Sequence, residues 1–454
     1  MICLYRCLIE VSKGVIDIVN AFRELNFSTK SFPILSEFCY QNFQKHFQKK
    51  VSRIRIFYQN QSHYRDLAFI SISIFFWGFG YGLYINIFPL VALSIGANTS
   101  QVAAIYSFSY FITAFSPIPG GIAADTFSRK KIMLAGWAVA TPSALIFAYS
   151  DHWLGLLLGE MLYCVSNFCA PALSAFIASR TCKNNACFIF SFTDVSGSVA
   201  MIISPALGGF FATLFGIKFV FFLSFLSYLI STSIIFFIRE DDARDYSPFL
   251  EMDNRTDSKW GIKIRTIQDY LPLFQDRKFL RTCVLFSLVF LSIYISHPFI
   301  PIYIYEIYNM PISLIGILGT ASALGGVFIS ILFGKIADRI NKYHAIASLI
   351  LISLISVLIL ILYSDFIILL FAFFLSGSAY SFYGIMSGLV GNKISKQNAG
   401  KAFAVLETIT GIPVIIAPLI GSFFYSYAPI LPIFATFIIS SIVLIILFLI
   451  SFFD

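Results

Sequence analysis

The chain has 454 residues, of which 58% are hydrophobic and 12% are charged, and its mean hydropathy is +0.84. Soluble domains carry about 25% charged residues, so this composition excludes a water-soluble fold and makes the lipid bilayer the solvent. The net charge of +8 reflects bases that lie in loops, and it indicates membrane topology rather than a nucleic-acid partner.

Apolar stretches of about 20 residues cross the hydrocarbon core as helices, because a helix satisfies its own backbone hydrogen bonds there. Twelve such stretches are predicted, six in each half of the chain. In the first half they cover 67–93, 101–123, 131–149, 153–178, 187–214 and 216–238. In the second half they cover 279–305, 313–334, 343–363, 366–391, 400–425 and 429–452. The predicted fold class is therefore an all-α integral membrane protein.

Residues 1–66 precede helix 1 as an N-terminal cytoplasmic extension of mixed charge. No signal peptide is visible, because the opening apolar run is too short before polar residues resume. Four bases just before helix 1 are expected to lie against anionic lipid headgroups. They are Lys49, Lys50, Arg53 and Arg55. The alternative for this extension is a regulatory or partner-binding role.

A short polar hairpin separates helices 2 and 3, and a second copy separates helices 8 and 9. The first copy contains Gly121, Asp125, Arg129 and Lys130. The second copy contains Gly334, Asp338 and Arg339. Bases are concentrated in the loops after helices 2, 4, 8 and 10, whereas the loops at the other end offer Lys218 alone. The positive-inside rule therefore places the hairpins and both termini in the cytoplasm.

Matched residues recur along the chain at one constant separation of 213 positions. The pairs are Asp125 with Asp338, Pro205 with Pro418, and Gly208 with Gly421. This regularity predicts two parallel six-helix bundles, residues 67–238 and 279–454. Residues 239–278 between them are expected to form a solvated cytoplasmic loop, in which 262–281 predicts an amphipathic surface helix. A regulatory site in this loop is the alternative.

On these motifs the chain resembles the major facilitator superfamily of secondary transporters, and the resemblance covers residues 67–452. The hairpin between helices 2 and 3 carries the superfamily pattern of a glycine, an aspartate and two bases. In that superfamily the hairpins latch the cytoplasmic side closed in the outward-facing state, and the resemblance therefore assigns a gate role to both copies. The alternative is a charged turn that only sets topology.

Helices 5 and 11 contain residues that can bend a helix or allow close packing, because proline removes a backbone hydrogen bond and glycine thins the helix. These residues are Pro205, Gly208, Gly209, Pro418 and Gly421. Exporters of the superfamily often carry Gly-Pro-x-x-Gly-Gly in helix 5. Ser204 stands in place of the first glycine, which weakens the assignment as an exporter.

Four ionisable side chains lie inside predicted helices, where a charge costs about 2.5–3.5 kcal/mol at the helix centre. They are Glu160 in helix 4, Asp194 in helix 5, His297 in helix 7 and Glu407 in helix 11. A carboxylate without a cation partner can take up and release a proton as the cavity opens to either side. These four residues are therefore the candidates for proton coupling.

Each candidate also has another interpretation. Asp194 and Glu407 are separated by the repeat distance. They can form hydrogen bonds with helix ends or ion pairs with loop bases and take no part in proton coupling. Glu160 lies where many proton-driven members of the superfamily have an arginine, and its carboxylate can attract a cationic substrate instead. His297 precedes Pro298 and can bond a carbonyl that the proline leaves without a partner.

The residues that should line the substrate site lie midway along helices 1, 4, 7 and 10, because parallel repeats place the binding cavity between the halves. They are Trp77, Tyr81, Asn86, Tyr163, Asn167, Tyr294, Tyr380 and Tyr383. Aromatic rings with a few hydroxyls and amides suit an amphipathic organic solute. No lysine or arginine lies deep in these helices, which argues against carriers of phosphate or other anions.

The resemblance implies a monomeric secondary transporter in the cell membrane that moves a small organic solute by alternating access. Proton-coupled efflux of an amphipathic compound is favoured. The alternatives are a nutrient uptake carrier of the same fold, and a membrane sensor or scaffold that transports nothing. No nucleotide-binding loop, catalytic triad or metal-ligand spacing occurs, and the eight cysteines are scattered. An enzyme, a cofactor and a bound metal are therefore not expected.

Overall fold

The computed structural model describes residues 61–180, 186–239, 277–337, 342–382, 386 and 399–453, and regular structure in these ranges is helical throughout. Residues Arg65–Asp454 form one compact unit. The N-terminal extension before residue 61, the predicted surface helix at 262–276, and the site residues Asp338, Arg339 and Tyr383 lie outside the described ranges.

Six helical spans make up the first half. They are α1 (Gln61–Gly82 and Phe88–Ser94), α2 (Thr99–Phe115 and Pro117–Thr126), α3 (Arg129–Ala140 and Ser143–Tyr149), α4 (Trp153–Val165, the 3₁₀ turn Ser166–Cys169, and Ala170–Ser179), α5 (Ala186–Phe215) and α6 (Ile217–Phe236).

Six further spans make up the second half. They are α7 (Arg277–Ser296 and Ile300–Ile307), α8 (Ile312–Ala337), α9 (Lys342–Leu362), α10 (Phe366–Ser376 and the 3₁₀ turn Gly377–Ser381), α11 (Ala399–Tyr427) and α12 (Leu431–Phe453).

The predicted all-helical membrane fold is confirmed. Within the described residues, ten helices are long and apolar enough to cross a bilayer, and Phe366–Ser381 is a shorter apolar helix. The difference from the prediction is that several spans are interrupted. Proline lies in the first turn of the segments that resume α1 and α7, where its missing N–H costs nothing. The two 3₁₀ turns lie at matching places in α4 and α10.

Small polar side chains join the helices within each half. In the first half, Ser73 of α1 and Ser231 of α6 approach to 2.8 Å, and Trp137 of α3 donates to the same serine at 2.8 Å. In the second half, the Thr436 hydroxyl of α12 donates to the Ser292 carbonyl of α7. Such contacts hold helices together in lipid, where burial of apolar surface against another helix gains little.

Packing between the halves is concentrated at one end of the bundle. We call the end that holds the turn between α2 and α3 the hairpin end. The hydrophobic core at the opposite end combines residues of both halves, such as Ile105 with Phe299 and Leu318. A second core near the hairpin end is built from the second half alone. In the described residues, therefore, the halves are closed against each other at the opposite end.

Two glycines make the same contact in the two halves. A Cβ on Gly208 of α5 would overlap the Leu83 carbonyl of α1, and a Cβ on Gly421 of α11 would overlap the Ile295 carbonyl of α7. Both backbones can approach only because a side chain is missing. The internal repeat thus extends from the sequence to backbone packing.

We expect Gly208→Ala to lower the free energy of unfolding by about 1–3 kcal/mol, because the methyl group has no room beside the Leu83 carbonyl. Thermal unfolding of the purified protein in detergent measures the loss. Gly411→Ala is the matched control, because this glycine also lies within a helix and has no atom within 4 Å of the added Cβ. Equal stability of the two variants would contradict the expected clash.

Candidate functional site

The first hairpin packs on helices of its own half. Its segment Pro117–Thr126 makes its main contacts with α3 and α4. No described atom lies within 4 Å of a Cβ placed on Gly121 or on Gly334. The side chain of Asp125 and residues 338–341 and 387–398 lie outside the described part of the structure. The contact of this hairpin with the second half in a latched state stays a prediction.

The two bases of the first hairpin bond to the ends of neighbouring helices. Arg129 donates to the Ala175 carbonyl of α4 at 3.3 Å, and Lys130 donates to the Phe236 carbonyl of α6 at 2.9 Å. The Phe236 carbonyl is the last of α6 and lacks a partner within the helix, and a cation there also meets the negative end of the helix dipole. Both bases thus tie α3 to other helices of the first half.

A buried ion pair at the same end escaped the sequence analysis. Arg180 at the end of α4 donates to the Asp66 carboxylate near the start of α1 at 2.7 Å, and both side chains are buried. The guanidinium also lies over the Phe176 ring and reaches the Arg239 carbonyl at 3.4 Å. The signal in the sequence was a lone aspartate at the start of an apolar run, but its partner lies 114 residues away.

Glu160 is the predicted coupling residue that the structure buries. Its Oε2 atom has no hydrogen-bond partner and is shielded from solvent, and the Cys164 thiol lies 4.0 Å from Oε1. Among the described residues no lysine, arginine or histidine pairs with this carboxylate. The buried charge therefore needs a proton or another cation for compensation.

Aromatic rings from α1 and α4 stack beside Glu160. Tyr163 lies one turn further along α4, and its ring is parallel to Tyr81 at 5.2 Å and nearly parallel to Trp77 at 5.7 Å. Glu160 and Tyr163 are three residues apart in α4 and therefore lie on the same side of that helix. The structure thus brings together Trp77, Tyr81, Tyr163 and Glu160, as the sequence suggested.

Rings from the two halves also meet between α2 and α7. Tyr106 of α2 contacts His297 of α7 with centroids 6.3 Å apart, and Tyr110 contacts Tyr294 at 5.1 Å. The tyrosines of α2 were not predicted, because only residues of helices 1, 4, 7 and 10 were expected to line the site. Through these rings α2 contacts two predicted site residues, His297 and Tyr294.

The other predicted binding residues are more dispersed. Asn86 packs against Gly319 of α8, and Asn167 donates to the Cys164 carbonyl at 3.0 Å within its own helix. Tyr380 lies in the 3₁₀ turn of α10, and its ring is exposed beside Gly326. These three residues do not contact the aromatic stack next to Glu160 in the described contacts.

The remaining coupling candidates do not share the environment of Glu160. Asp194 and Glu407 are both exposed, whereas Glu160 is buried. His297 contacts Tyr106 and Tyr294 and has an exposed ring. In the described part of the chain, no group of three or more His, Cys, Asp or Glu side chains could hold a metal ion.

The predicted bending residues of α5 lie at a crossing with α8. Gly209 and Gly316 face each other so closely that a Cβ on either would strike backbone atoms of the other helix. The Ala206 amide, next to Pro205, donates to the Thr320 hydroxyl at 3.1 Å. Pro418 lies inside the continuous helix α11. The crossing of α5 and α8 is therefore a direct backbone contact between the halves.

Comparison with known proteins identifies this architecture. The Major Facilitator Superfamily profile matches residues 70–295 and 282–454. The multi-drug resistance efflux pump PmrA of Streptococcus pneumoniae is 33% identical over 176 residues, which are 37% of this chain and 43% of that protein. The match thus spans less than half of that relative. The multidrug resistance protein MdtG of Proteus mirabilis is 22% identical over 80% of this chain and 90% of its own length.

Two solved structures share the fold at low sequence identity. The nucleoside transporter NupG superposes with a TM-score of 0.68 at 13% identity, covering 86% of this chain and 99% of that one. A bacterial homologue of the human lysosomal transporter Spinster, in an inward-facing and unoccupied conformation, has a TM-score of 0.63 at 13% identity. It covers 80% of this chain and 81% of its own. At this identity the likeness concerns the fold alone.

We expect Asp66→Asn to lower the free energy of unfolding by about 3–5 kcal/mol, because it removes the charge of a fully buried carboxylate that accepts a hydrogen bond from the buried Arg180 guanidinium. Chemical or thermal unfolding in detergent measures this loss. Arg65→Gln is the control, because Arg65 is partly exposed and lies 3.6 Å from the same carboxylate. An exposed pair contributes less than about 1 kcal/mol. Similar losses in the two variants would contradict the assignment of Arg180 as the principal partner.

Proposed function

The chain belongs to the major facilitator superfamily of membrane transporters, and from this premise we propose that it exports an amphipathic organic compound in exchange for protons. The observation that carries the proposal is Glu160, a buried carboxylate with an unpartnered oxygen, one helical turn from Tyr163, whose ring stacks on Tyr81 of α1. The multidrug efflux relatives support export. The proposed location is the cell membrane, with both termini in the cytoplasm.

The proposed transport cycle moves the two halves around this site. Contacts between the halves at the opposite end support a state that is closed at that end, and we propose that this state opens toward the hairpin end. In the proposed cycle the hairpins latch when the opposite end opens. Asp125 and Asp338 would then accept hydrogen bonds from helix N-termini of the other half.

Proton exchange in the proposal takes place at Glu160. The residue has no cation partner among the described residues, so either a proton or the substrate must compensate its charge in each state of the cycle. Asp194 and Glu407 are exposed in this conformation and are less suited to this exchange. Tyr81 and Trp77 provide apolar faces for the substrate.

Transport by the reconstituted full-length protein tests the proposal. We expect an imposed pH gradient to drive a fluorescent amphipathic dye across the membrane of proteoliposomes. The dye should move in the direction opposite to that of the protons. Glu160→Gln should remove the dependence on the gradient, because the amide cannot exchange a proton. Glu306→Gln is the control, since Glu306 lies at the opposite end and accepts only a hydrogen bond from Tyr425 in the described contacts. Movement in the same direction as protons would support uptake instead, and no movement would support a sensor or scaffold.

The proposed gate role of the hairpin has its own test. We expect Asp125→Asn to reduce the transport rate at least about tenfold without loss of folded protein, because the latched state loses a charge-assisted hydrogen bond. Asp151→Asn is the control, because Asp151 lies in the loop between α3 and α4 at the opposite end. A normal transport rate in Asp125→Asn would leave the hairpin only a role in topology.

A further inference from the structure

We infer that Ser107 of α2 is a positioning residue for the transport cycle. Its hydroxyl accepts a hydrogen bond from the Leu419 amide of α11 in the state in which the halves are closed at the hairpin end. This role of Ser107 rests on the alternating access of the proposed function, and it is the same for either direction of transport and for any coupling ion.

Ser107 has a buried hydroxyl without a hydrogen-bond partner among the described residues. Ser107 lies seven residues after Ser100, which is about two helical turns, so both side chains lie on the same face of α2. This face meets α11, because the Ser422 hydroxyl of α11 donates to the Ser100 hydroxyl at 3.1 Å. A buried hydroxyl without a partner is unfavourable, and its place on this face indicates a partner on α11.

The internal repeat identifies that partner. The halves cross where α5 meets α8 and where α2 meets α11, and the separation of 213 residues relates these two crossings. At this separation Thr320 of α8 corresponds to Ser107. Leu419 corresponds to Ala206 of α5, and each of these two residues directly follows a proline that bends its helix. Thr320 accepts a hydrogen bond from the Ala206 amide at 3.1 Å, so the Leu419 amide is the equivalent donor for Ser107.

Side chains explain why this hydrogen bond is not formed in the present structure. In the crossing of α5 with α8, Gly209 and Gly316 bring the two backbones into direct contact. The equivalent positions in the crossing of α2 with α11 hold Ser422 and Ala103, and both side chains are buried. Because these side chains hold the two backbones apart, α11 does not reach the hydroxyl of Ser107.

Movement of the halves brings this hydroxyl to its partner. Along α2, Ser100 lies nearer the opposite end and Ser107 lies nearer the hairpin end. In the proposed cycle the halves separate at the opposite end and close at the hairpin end. This movement breaks the hydrogen bond between Ser422 and Ser100 and brings the Leu419 amide to Ser107. The two hydrogen bonds therefore belong to opposite states of the cycle.

Distance measurements on the purified full-length protein test this role. Spin labels are placed at Asp151 in the first half and Ser364 in the second half, which are exposed in loops at the opposite end. They report a short distance when that end is closed and a long distance when it is open. Labels introduced as unnatural amino acids leave the eight native cysteines unchanged.

The two serines should shift the populations in opposite directions. We expect Ser107→Ala to raise the ratio of the short-distance to the long-distance population at least about threefold, because only the state that is open at the opposite end loses a hydrogen bond. Ser100→Ala should lower the same ratio at least about threefold, because it removes the acceptor of the hydrogen bond in the closed state.

The controls keep or remove a hydroxyl on the same helix. Ser109→Ala removes a buried hydroxyl of α2 that donates to the Ile105 carbonyl of its own helix, and it should leave the ratio unchanged. Ser107→Thr keeps the hydroxyl and should also leave the ratio unchanged. Size-exclusion profiles verify that each variant is folded. An unchanged ratio in Ser107→Ala, or an equal rise in Ser107→Thr, would overturn the role of Ser107.

The possible results separate this role from the proposed function. An unchanged ratio in Ser107→Ala together with proton-driven dye export would overturn the role of Ser107 alone. Opposite shifts in Ser107→Ala and Ser100→Ala would uphold the role even if proteoliposomes showed no proton-driven export, and in that case only the proposed direction and coupling would fall. One and the same distance in the unaltered chain and in every variant would also overturn the role of Ser107.

Discussion

Close approach of helix backbones is the constraint on which this structure depends. In lipid, helices gain little by burying apolar surface against one another, so stability comes from tight packing and hydrogen bonds between helices. Gly208 and Gly421 allow this approach at equivalent places in the two halves, and Gly209 meets Gly316 between them. The absence of a side chain at these glycines therefore sets the distances between the helices that surround the aromatic site next to Glu160.

The polar side chains follow from the same constraint. Hydroxyls such as Ser73 and Ser231 bond across helices, and Arg129 and Lys130 donate to carbonyls of α4 and α6. Many polar groups in the described contacts thus serve the packing of helices. Glu160 differs from them, because it is a carboxylate within a membrane helix, one of its oxygens is buried without a partner, and no cation among the described residues pairs with it. An ionisable group of this kind inside a membrane helix points to function.

The membrane helices were predictable because bilayer thickness fixes their length and lipid permits only helical backbone there. The duplication was predictable because matched residues of the two halves recur at a constant separation in the sequence. The interruptions of α4 and α10 by 3₁₀ turns were not predictable. Ser166–Cys169, for example, contains no proline or glycine that would indicate a break in the helix. For the site, the sequence indicated Glu160 and the rings of helices 1 and 4. It could not indicate Tyr106 and Tyr110, because only the packing of α2 against α7 brings them to His297 and Tyr294.

The buried pair of Asp66 and Arg180 also bears on how far the two halves correspond. Helices α1 and α7 repeat at 212 residues, as the matched contacts of Leu83 and Ile295 show, and at that distance Lys278 stands where Asp66 stands in the first half. Lys393 follows Arg180 at a distance of 213 residues. The second half therefore has two bases at the positions where the first half has an acid and a base. These positions offer the second half no such ion pair, so the two copies of the repeat cannot close these helix ends with the same interaction.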